Sequence, residues 1–303
     1  MSKVMLLGCD PEVFLKDKDG KFISAHDILP GTKTTPFGVS SGAVQVDGLA
    51  AEFNTLPAET SRQFVTNIKD VMNSLEYHAK GNTLCIEPYA VFDKVYFDSL
   101  PEEVKELGCN PDWNAWTGQV NPAPDGTASM RTASGHIHIG WCKDVNPHDK
   151  LHFEDCKIFI KQLDYFIGLY SLLWDKDNTR RQMYGKAGAF RPKPYGVEYR
   201  VMSNQWLKSQ TIQTWIFNAV QTATTQLMGS GKTMEDLFGT YAQECIDGNV
   251  LDWHLSATGK KVIQSTGLPW PDLKDFRPKK DQENVEEVLK QFRVKMSQIM
   301  AGS

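Results

Sequence analysis

The stretch that most limits how this chain can fold is Ser134-Gly135-His136-Ile137-His138-Ile139-Gly140. Polar and apolar residues alternate between two glycines, which is the pattern of a half-buried strand rather than a helix. Successive side chains on a strand point to opposite faces, so His136 and His138 share one face while Ile137 and Ile139 share the other. Alone, the pattern fits a strand whose histidines merely meet solvent. Repetition of the same design elsewhere in the chain argues for more.

Three further segments place two polar groups on one face of a strand. Asp10 and Glu12 face together while Val13 and Leu15 face away; Glu52 and Asn54 share a face opposite Ala51 and Phe53; Glu198 and Arg200 oppose Val197, Tyr199 and Val201. If the four strands lie in one sheet, one side is a core face and the other is lined with carboxylates, imidazoles and a guanidinium. Grouped carboxylates raise each other's pKa and need neutralisation, which divalent cations supply. Oxygen-rich ligands with an imidazole favour Mg2+ or Mn2+ over structural zinc. An arginine beside such acids suits an anionic partner, a phosphate or a substrate carboxylate.

The bulk properties exclude several classes. The 303 residues are 41% apolar and 23% charged, with net charge −4 and a pI near 6.0. That is ordinary globular composition, with no electrostatic case for a nucleic-acid or membrane surface. Cys9, Cys85, Cys109, Cys142, Cys156 and Cys245 are scattered without a Cys-x-x-Cys pair, as expected of reduced thiols in a cytoplasm. The apolar run Val4 to Leu7 is too short for a signal segment. No apolar span reaches membrane length.

In chain order, a strand hairpin is expected over Lys3 to about Lys21, and a Gly/Pro/Thr loop carrying Lys33 over Leu29 to Gly42. A strand from Val44 to Thr55, broken at Gly48, leads to a helix capped by Thr60 or Ser61. Residues 93–133 lack periodicity. Their densest part, Gly108 to Trp116, reads either as a loop pinned by its tryptophans or as a substrate lid. Asn146-Pro147 opens a long core helix. The polar segment Asp175 to Pro194 carries Arg180, Arg181, Lys186, Arg191 and Lys193. Helices are expected from about Gln205 to Met228, from Met234 to Cys245, and from about Glu283 to Met300. Gly229-Ser230-Gly231-Lys232-Thr233 imitates a phosphate-binding loop, but position 226 is glutamine and a helix precedes it, so it reads as a helix end followed by a cap.

The set Asp-Pro-Glu, Glu-x-Asn, Ser-Gly-His-x-His and Glu-x-Arg, in that order over residues 8–204, resembles the glutamine synthetase and glutamate–cysteine ligase superfamily. Gly8-Cys9-Asp10-Pro11-Glu12 and the Cys109 to Trp116 stretch look most like its phage carboxylate–amine ligases, or amidoligases. The resemblance implies ATP-dependent amide formation through an acyl phosphate, with ATP, two or more Mg2+ ions (Mn2+ as an alternative), a carboxylic acid and an amine as partners. By the same resemblance Glu12 and Glu52 hold one metal. Asp10, His136 and Glu198 hold another, and His138 and Arg200 meet the phosphate. It leaves Arg131, Arg180, Arg181, Lys186, Arg191 and Lys33 as candidate phosphate or carboxylate clamps. Asn54, Asp112, Asn114 and Arg181 stand as candidate substrate contacts. Asp10 occupies a position where the family pairs glutamates, and Met130-Arg131-Thr132 stands where a Lys-Pro precedes the histidines in glutamine synthetases.

The expected fold is α+β, a curved and mainly antiparallel sheet with the site on its concave face and helices on the other. It forms a single catalytic domain over 1–303 with a helical part from about 205. Expected function is cytoplasmic ligation, in a host cytoplasm if the chain is phage-encoded. The alternatives are a metal-dependent hydrolase using the His-x-His and acids, or a non-catalytic phage protein.

Overall fold

At Asp10-Pro11 the backbone leaves one β-ladder and enters another, because proline has no N–H to continue a ladder. A computed structural model describes residues 5–105, 112–122 and 129–277. Its strands and helices run β1 (Leu6–Cys9), β2 (Glu12–Lys16), β3 (Phe22–Ile23), β4 (Phe37–Val39), β5 (Gly42–Asp47), β6 (Ala50–Thr55), α1 (Ser61–His78), β7 (Thr83–Cys85), β8 (Tyr89–Val91), α2 (Lys94–Ser99) and α3 (Glu102–Lys105). Then come β9 (Trp113–Asn114), β10 (Met130–Thr132), β11 (Ile137–Gly140), α4 (Lys150–Leu163), α5 (Leu169–Ser171), α6 (Thr179–Met183), β12 (Ala189–Lys193), β13 (Gly196–Tyr199) and α7 (Gln210–Ser230). The helices α8 (Met234–Phe238), α9 (Tyr241–Asp247) and α10 (Ala257–Thr266) follow.

Every pairing between these strands is antiparallel. One ladder runs β1-β11-β13-β12-β9 and the other β3-β2-β6-β5-β4, with β7 also on β2 and a separate β10-β8 ribbon. The single sheet expected from sequence is thus two ladders stitched at the proline. Asp10 N–H donates to His136 O (3.4 Å), Glu12 N–H to Ser134 O (2.9 Å), and Phe53 N–H to Pro11 O (3.2 Å). The result is a curled antiparallel half-barrel.

Strand parity behaves as expected. Val13, Leu15, Ala51, Phe53, Ile137, Ile139, Val197 and Tyr199 are fully buried in the main core. That core is closed by α1 on β5 and β6, α4 on β12 and β13, and α7 against both helices. Thr60 caps α1 by accepting from Gln63 N–H, and Phe64 of that helix stacks on Trp206 with centroids 6.1 Å apart. The long helix starts later than Pro147: Asp149 is its cap, accepting from the Leu151 and His152 amides. A side-chain carboxylate satisfies those amides where proline only tolerates the position. A π-helical turn over Asp164–Gly168 interrupts it. Gly231, in the left-handed region at φ +62°, ends α7, and Thr233 forms a capping box with Asp236, so the phosphate-loop look-alike is a helix boundary. Gly108 to Pro111 and the helix expected from Glu283 lie outside the described residues.

The glycine beside the histidines serves backbone packing. A Cβ on Gly135 would lie 2.3 Å from Ser203 O and from Trp206 Nε1. Trp113 packs edge-on against Phe153, and Trp116 Nε1 donates to Asp164 Oδ2 (2.6 Å), so the described part of the tryptophan loop is pinned.

Asp164 is fully buried and also accepts from the Tyr199 hydroxyl (2.8 Å). Burial pushes its pKa up from 3.8 to about 7, against the two donors. Between those values the folded chain keeps a proton that the unfolded chain has lost, so stability falls as pH rises through the window. Asp164→Asn is expected to flatten that slope in urea-unfolding midpoints measured at several pH values; a slope equal to wild type would refute it.

Candidate active site

Antiparallel register turns strand parity into a cross-strand row. Gly8, His138, Glu198 and Arg191 are direct partners across β1, β11, β13 and β12. Lys193, two residues beyond Arg191, lies on the same face. Glu198 is fully buried and sits among cations: Lys193 Nζ is 2.8 Å and an Arg191 guanidinium nitrogen 3.5 Å from Oε2. Arg200 donates to Oε1. His136, just before β11, brings Nδ1 to 3.3 Å from Glu198 Oε1 and 3.4 Å from Asp10 Oδ1. His138 places Nε2 2.9 Å from Asp10 Oδ1, while its Nδ1 bonds the Tyr195 hydroxyl. Arg200 is held from three sides, by Glu198, by the Tyr184 hydroxyl and by Asp112, whose Oδ2 accepts from Nε at 3.0 Å.

A second tier lies across the seam. Glu12 stands directly opposite Glu52, and Gln45 opposite Glu52 on the other side. Glu12 Oε2 accepts from Ser134 N–H (2.7 Å), and Glu52 Oε2 accepts from Gln45 Nε2 (2.6 Å). Asp47, on the same parity of β5 as Gln45, joins this tier and pairs with Lys33 at 2.7 Å.

Burial raises Glu198 in the first tier as it raises both glutamates of the second. Burial, with the charge of Asp47 next, lifts Glu12 from 4.5 to about 7. Burial and then Asp10, Asp47 and Glu12 hold Glu52 well above the carboxylate range. In the first tier burial would raise Asp10, but the adjacent His138 and His136 together outweigh it and hold Asp10 well below its usual value. Burial would likewise lower His138, and Asp10 raises it instead. His136 is pushed well below the ordinary imidazole value by burial and then by Arg200. It is therefore neutral, the form that ligates metals.

The donor set fits a divalent cation. Among the described residues, the group offering one ligand atom each within 4.8 Å of the others is Asp10, His138 and Glu198. The imidazole in it is His138, where the family resemblance assigns His136. His136 Nε2 is nonetheless buried without a hydrogen-bond partner, and Glu12 and Glu52 add oxygen donors whose raised pKa a cation would relieve.

Several sequence candidates lie elsewhere. Arg131 covers the Phe97 ring at 4.9 Å and donates to Met130 O and Lys105 O, because β10 pairs with β8 outside both ladders. Arg181 faces Asp175 (3.6 Å) and Asn249 (3.1 Å). Lys186 is exposed beside Asp247. Asn114 accepts from Trp116 and Thr117 N–H of its own loop and donates to Ala187 O just before β12. Asp112 is an anchor for Arg200. Arg180 is 1% exposed and donates to Val201 O (2.9 Å) and Ser134 Oγ (3.1 Å) behind Glu12.

Sequence reasoning missed Asp47, Tyr184 and Tyr195, and left Lys193 as one cation among five. Parity with Gln45 was a usable signal for Asp47. Tyr184 lies in a connecting segment and had none.

Beside the first tier lies a cleft of about 570 Å³, lined among others by Asn54, Thr55, Pro57, His138, Trp141 and Tyr195. Asn54, on the Glu52 face of β6, is part of this lining. No helix among the described residues is long and apolar enough to cross a membrane.

Residues 130–238, which include His136, His138, Glu198 and Arg200, match the model of the Phage phiEco32-like COOH.NH2 ligase-type 2 family. The expected resemblance holds over that stretch, and the family is one of carbon–nitrogen ligases. No curated protein matches the chain. Solved structures aligned with it include "GmaS/ADP complex-Conformation 1", at 12% identity and TM-score 0.37 over 94% of this chain and 74% of that one. Another is "Crystal structure of novel glutamine synthase homolog", at 13% identity and TM-score 0.33 over 89% and 69%.

Because Glu12 and Glu52 are raised, the metal-free fold loses stability as pH climbs from 4.5 to about 7. A Mg2+ ion held by these carboxylates would compete with those protons. Its stabilisation, read as the rise in Tm on adding MgCl2, is expected to grow from about pH 5 to about pH 8 and to shrink in Glu12→Gln. A rise independent of pH would contradict this.

Proposed function

We propose, taking the family match over residues 130–238 as premise, that this chain is an ATP-dependent carboxylate–amine ligase. The observation that carries the reading is the pairing of two tiers. Carboxylates crowd one another at the seam, and a row of cations ending at Arg200 surrounds buried Glu198 beside a cleft large enough for a nucleotide. A hydrolase would leave that cationic row without a task. The family name supports a bacteriophage source and action in a host cytoplasm. In this reading residues 1–303 form one catalytic domain, with the helical part from about 205 backing the sheet.

In the reaction, a carboxylate oxygen of the acid attacks the γ-phosphorus, the bond to the β–γ bridging oxygen breaks, and ADP leaves. The amine nitrogen then attacks the acyl carbon of the acyl phosphate. Its C–O bond breaks, phosphate departs, and the nitrogen loses a proton. Asp10, Glu12, Glu52, Glu198 and the neutral imidazole of His136 would hold Mg2+ or Mn2+, and such an ion would supply positive charge against the transferring phosphoryl group.

The chain's own residues do the rest. Arg200, fixed by Asp112 and Tyr184, offers a guanidinium N–H to the transferred phosphoryl oxygens. Such preorganised donors need no reorientation as charge develops. His138, held through Nδ1 by Tyr195, stays protonated beside Asp10 and donates to phosphate. Lys193 and Arg191 extend the positive field along the row. Trp141 and Pro57 give the cleft apolar lining for the nucleotide base, and Asn54 gives it an amide. Burial of Glu198 and Arg200 excludes water, which would otherwise hydrolyse the acyl phosphate.

The test is ADP release with Mg2+ and a mixture of carboxylic acids and amines, with products read by mass spectrometry. ADP is expected only when both substrate classes are present. Glu12→Gln or Glu198→Gln should lower the rate by about two orders of magnitude while leaving the circular dichroism unchanged. Metal-dependent hydrolysis without nucleotide, or full activity of both variants, would overturn the reading.

A further inference from the structure

The long cleft beside Trp141 lies at the Gly140 end of the histidine strand. A second cavity, of about 300 Å³, lies beyond its Ser134 end. Three links place it there. Tyr89 of its lining pairs with Thr132 on β10. Pro88 O accepts from Ala133 N–H. Gln205 follows Ser203, the bridge partner of Ser134. The acid tiers thus lie along a strand with one cavity towards each end, as a reaction joining two substrates needs.

The walls of the second cavity combine aromatic rings (Phe22, Tyr89 and Trp174) with carboxylates (Glu87, Asp175 and Asp177). Its key group is Asp175, 4% exposed. Oδ2 faces Arg181 at 3.6 Å, but Oδ1 is buried with no hydrogen-bond partner. Leaving a buried acceptor unmet is costly, so the site favours a ligand that donates to it. Other polar groups nearby are engaged. Gln205 donates to Ile86 O (3.0 Å) and accepts from Lys208 (2.8 Å), and Lys208 lies 3.6 Å from Glu87. Lys176, also in the lining, is exposed.

We propose that this cavity binds a primary alkylammonium group, the protonated form in which the amine substrate arrives. An ammonium brings three donors for Asp175 Oδ1 and the neighbouring carboxylates. Its charge is attracted to the faces of Trp174 and Tyr89. A carboxylate brings no donor for Asp175 Oδ1, and a neutral alcohol brings a single O–H and no charge for the rings. The identification of the ammonium as a substrate rests on the ligase reading; its binding does not.

The experiment is calorimetry on the full chain, without nucleotide, using n-butylamine hydrochloride, n-butanol and sodium butyrate as probes. Butylammonium alone is expected to bind and to change tryptophan fluorescence. Asp175→Asn should weaken it about tenfold, with Glu87→Gln, at the half-exposed rim, as a second variant that keeps the test valid if the first does not fold. In turnover, Asp175→Asn should raise KM for the amine and leave KM for ATP unchanged. Equal binding of butanol or butyrate, or wild-type affinity in Glu87→Gln and folded Asp175→Asn, would overturn the inference. Ammonium binding without any ADP formation would sink the ligase reading and leave the site standing. Amine-dependent ADP formation without ammonium binding would do the reverse.

Discussion

Glu12 and Glu52 face each other across neighbouring strands, with Asp10 and Asp47 close enough to raise them further. Ionised carboxylates in such a setting repel one another and have lost much of their hydration, so they must share protons or acquire a counter-charge. Much of the surrounding structure meets that requirement. Ser134 N–H and Gln45 satisfy one oxygen each. Asp10 raises the pKa of His138. Lys193, Arg191 and Arg200 converge on Glu198. The fold tolerates this concentration of charge because the opposite face of the same strands is a continuous apolar core under α1, α4 and α7.

Rigidity comes from buried polar contacts on the far side of the sheet. Asp164, on a π-helical turn, ties Trp116 of the loop and Tyr199 of β13 to the core helix. Asp112 lies four residues before Trp116, and Glu198 and Arg200 flank Tyr199. One buried carboxyl therefore fixes both the anchor of Arg200 and the strand that ends at it. Gly168 belongs to the same arrangement, since a Cβ there would lie 2.5 Å from the Tyr199 hydroxyl. Position along the histidine strand then separates two cavities, one towards each end of the acid tiers.

Much of the fold and of the site was readable before any coordinates. Alternation around His136 and His138, Glu198 and Arg200, and Glu12 and Glu52 predicted which face of each strand is polar. The buried isoleucines, valines and phenylalanines confirm the other face. The candidate clamps were not separable in this way. Arg131, Arg181 and Arg191 look alike in sequence, yet only Arg191 is registered against Glu198; the others are held by Phe97 and Asp175. Asn114 looked like a substrate contact and is consumed by its own turn and by Ala187 O. Tyr184 reaches the site from a segment with no periodicity to mark it, and Tyr195, which alternation with Val197 and Tyr199 would put on the core face, precedes β13 and bonds His138 instead.

The sequence by itself determined local matters: strand parity, the caps at Thr60 and Thr233, the end of a helix at Gly231, and the presence of acids, imidazoles and an arginine in repeated pairs. These follow from covalent spacing, which the chain carries wherever it goes. Tertiary structure decided the rest. Pro11 splits one expected sheet into two stitched ladders, and register decides which acid meets which cation. Burial sets the protonation of Glu12, His136 and Asp164. Such outcomes depend on residues far apart in the chain, as the 122-residue separation of Glu12 and Ser134 illustrates. Their energies exist only once those residues have been brought out of water together.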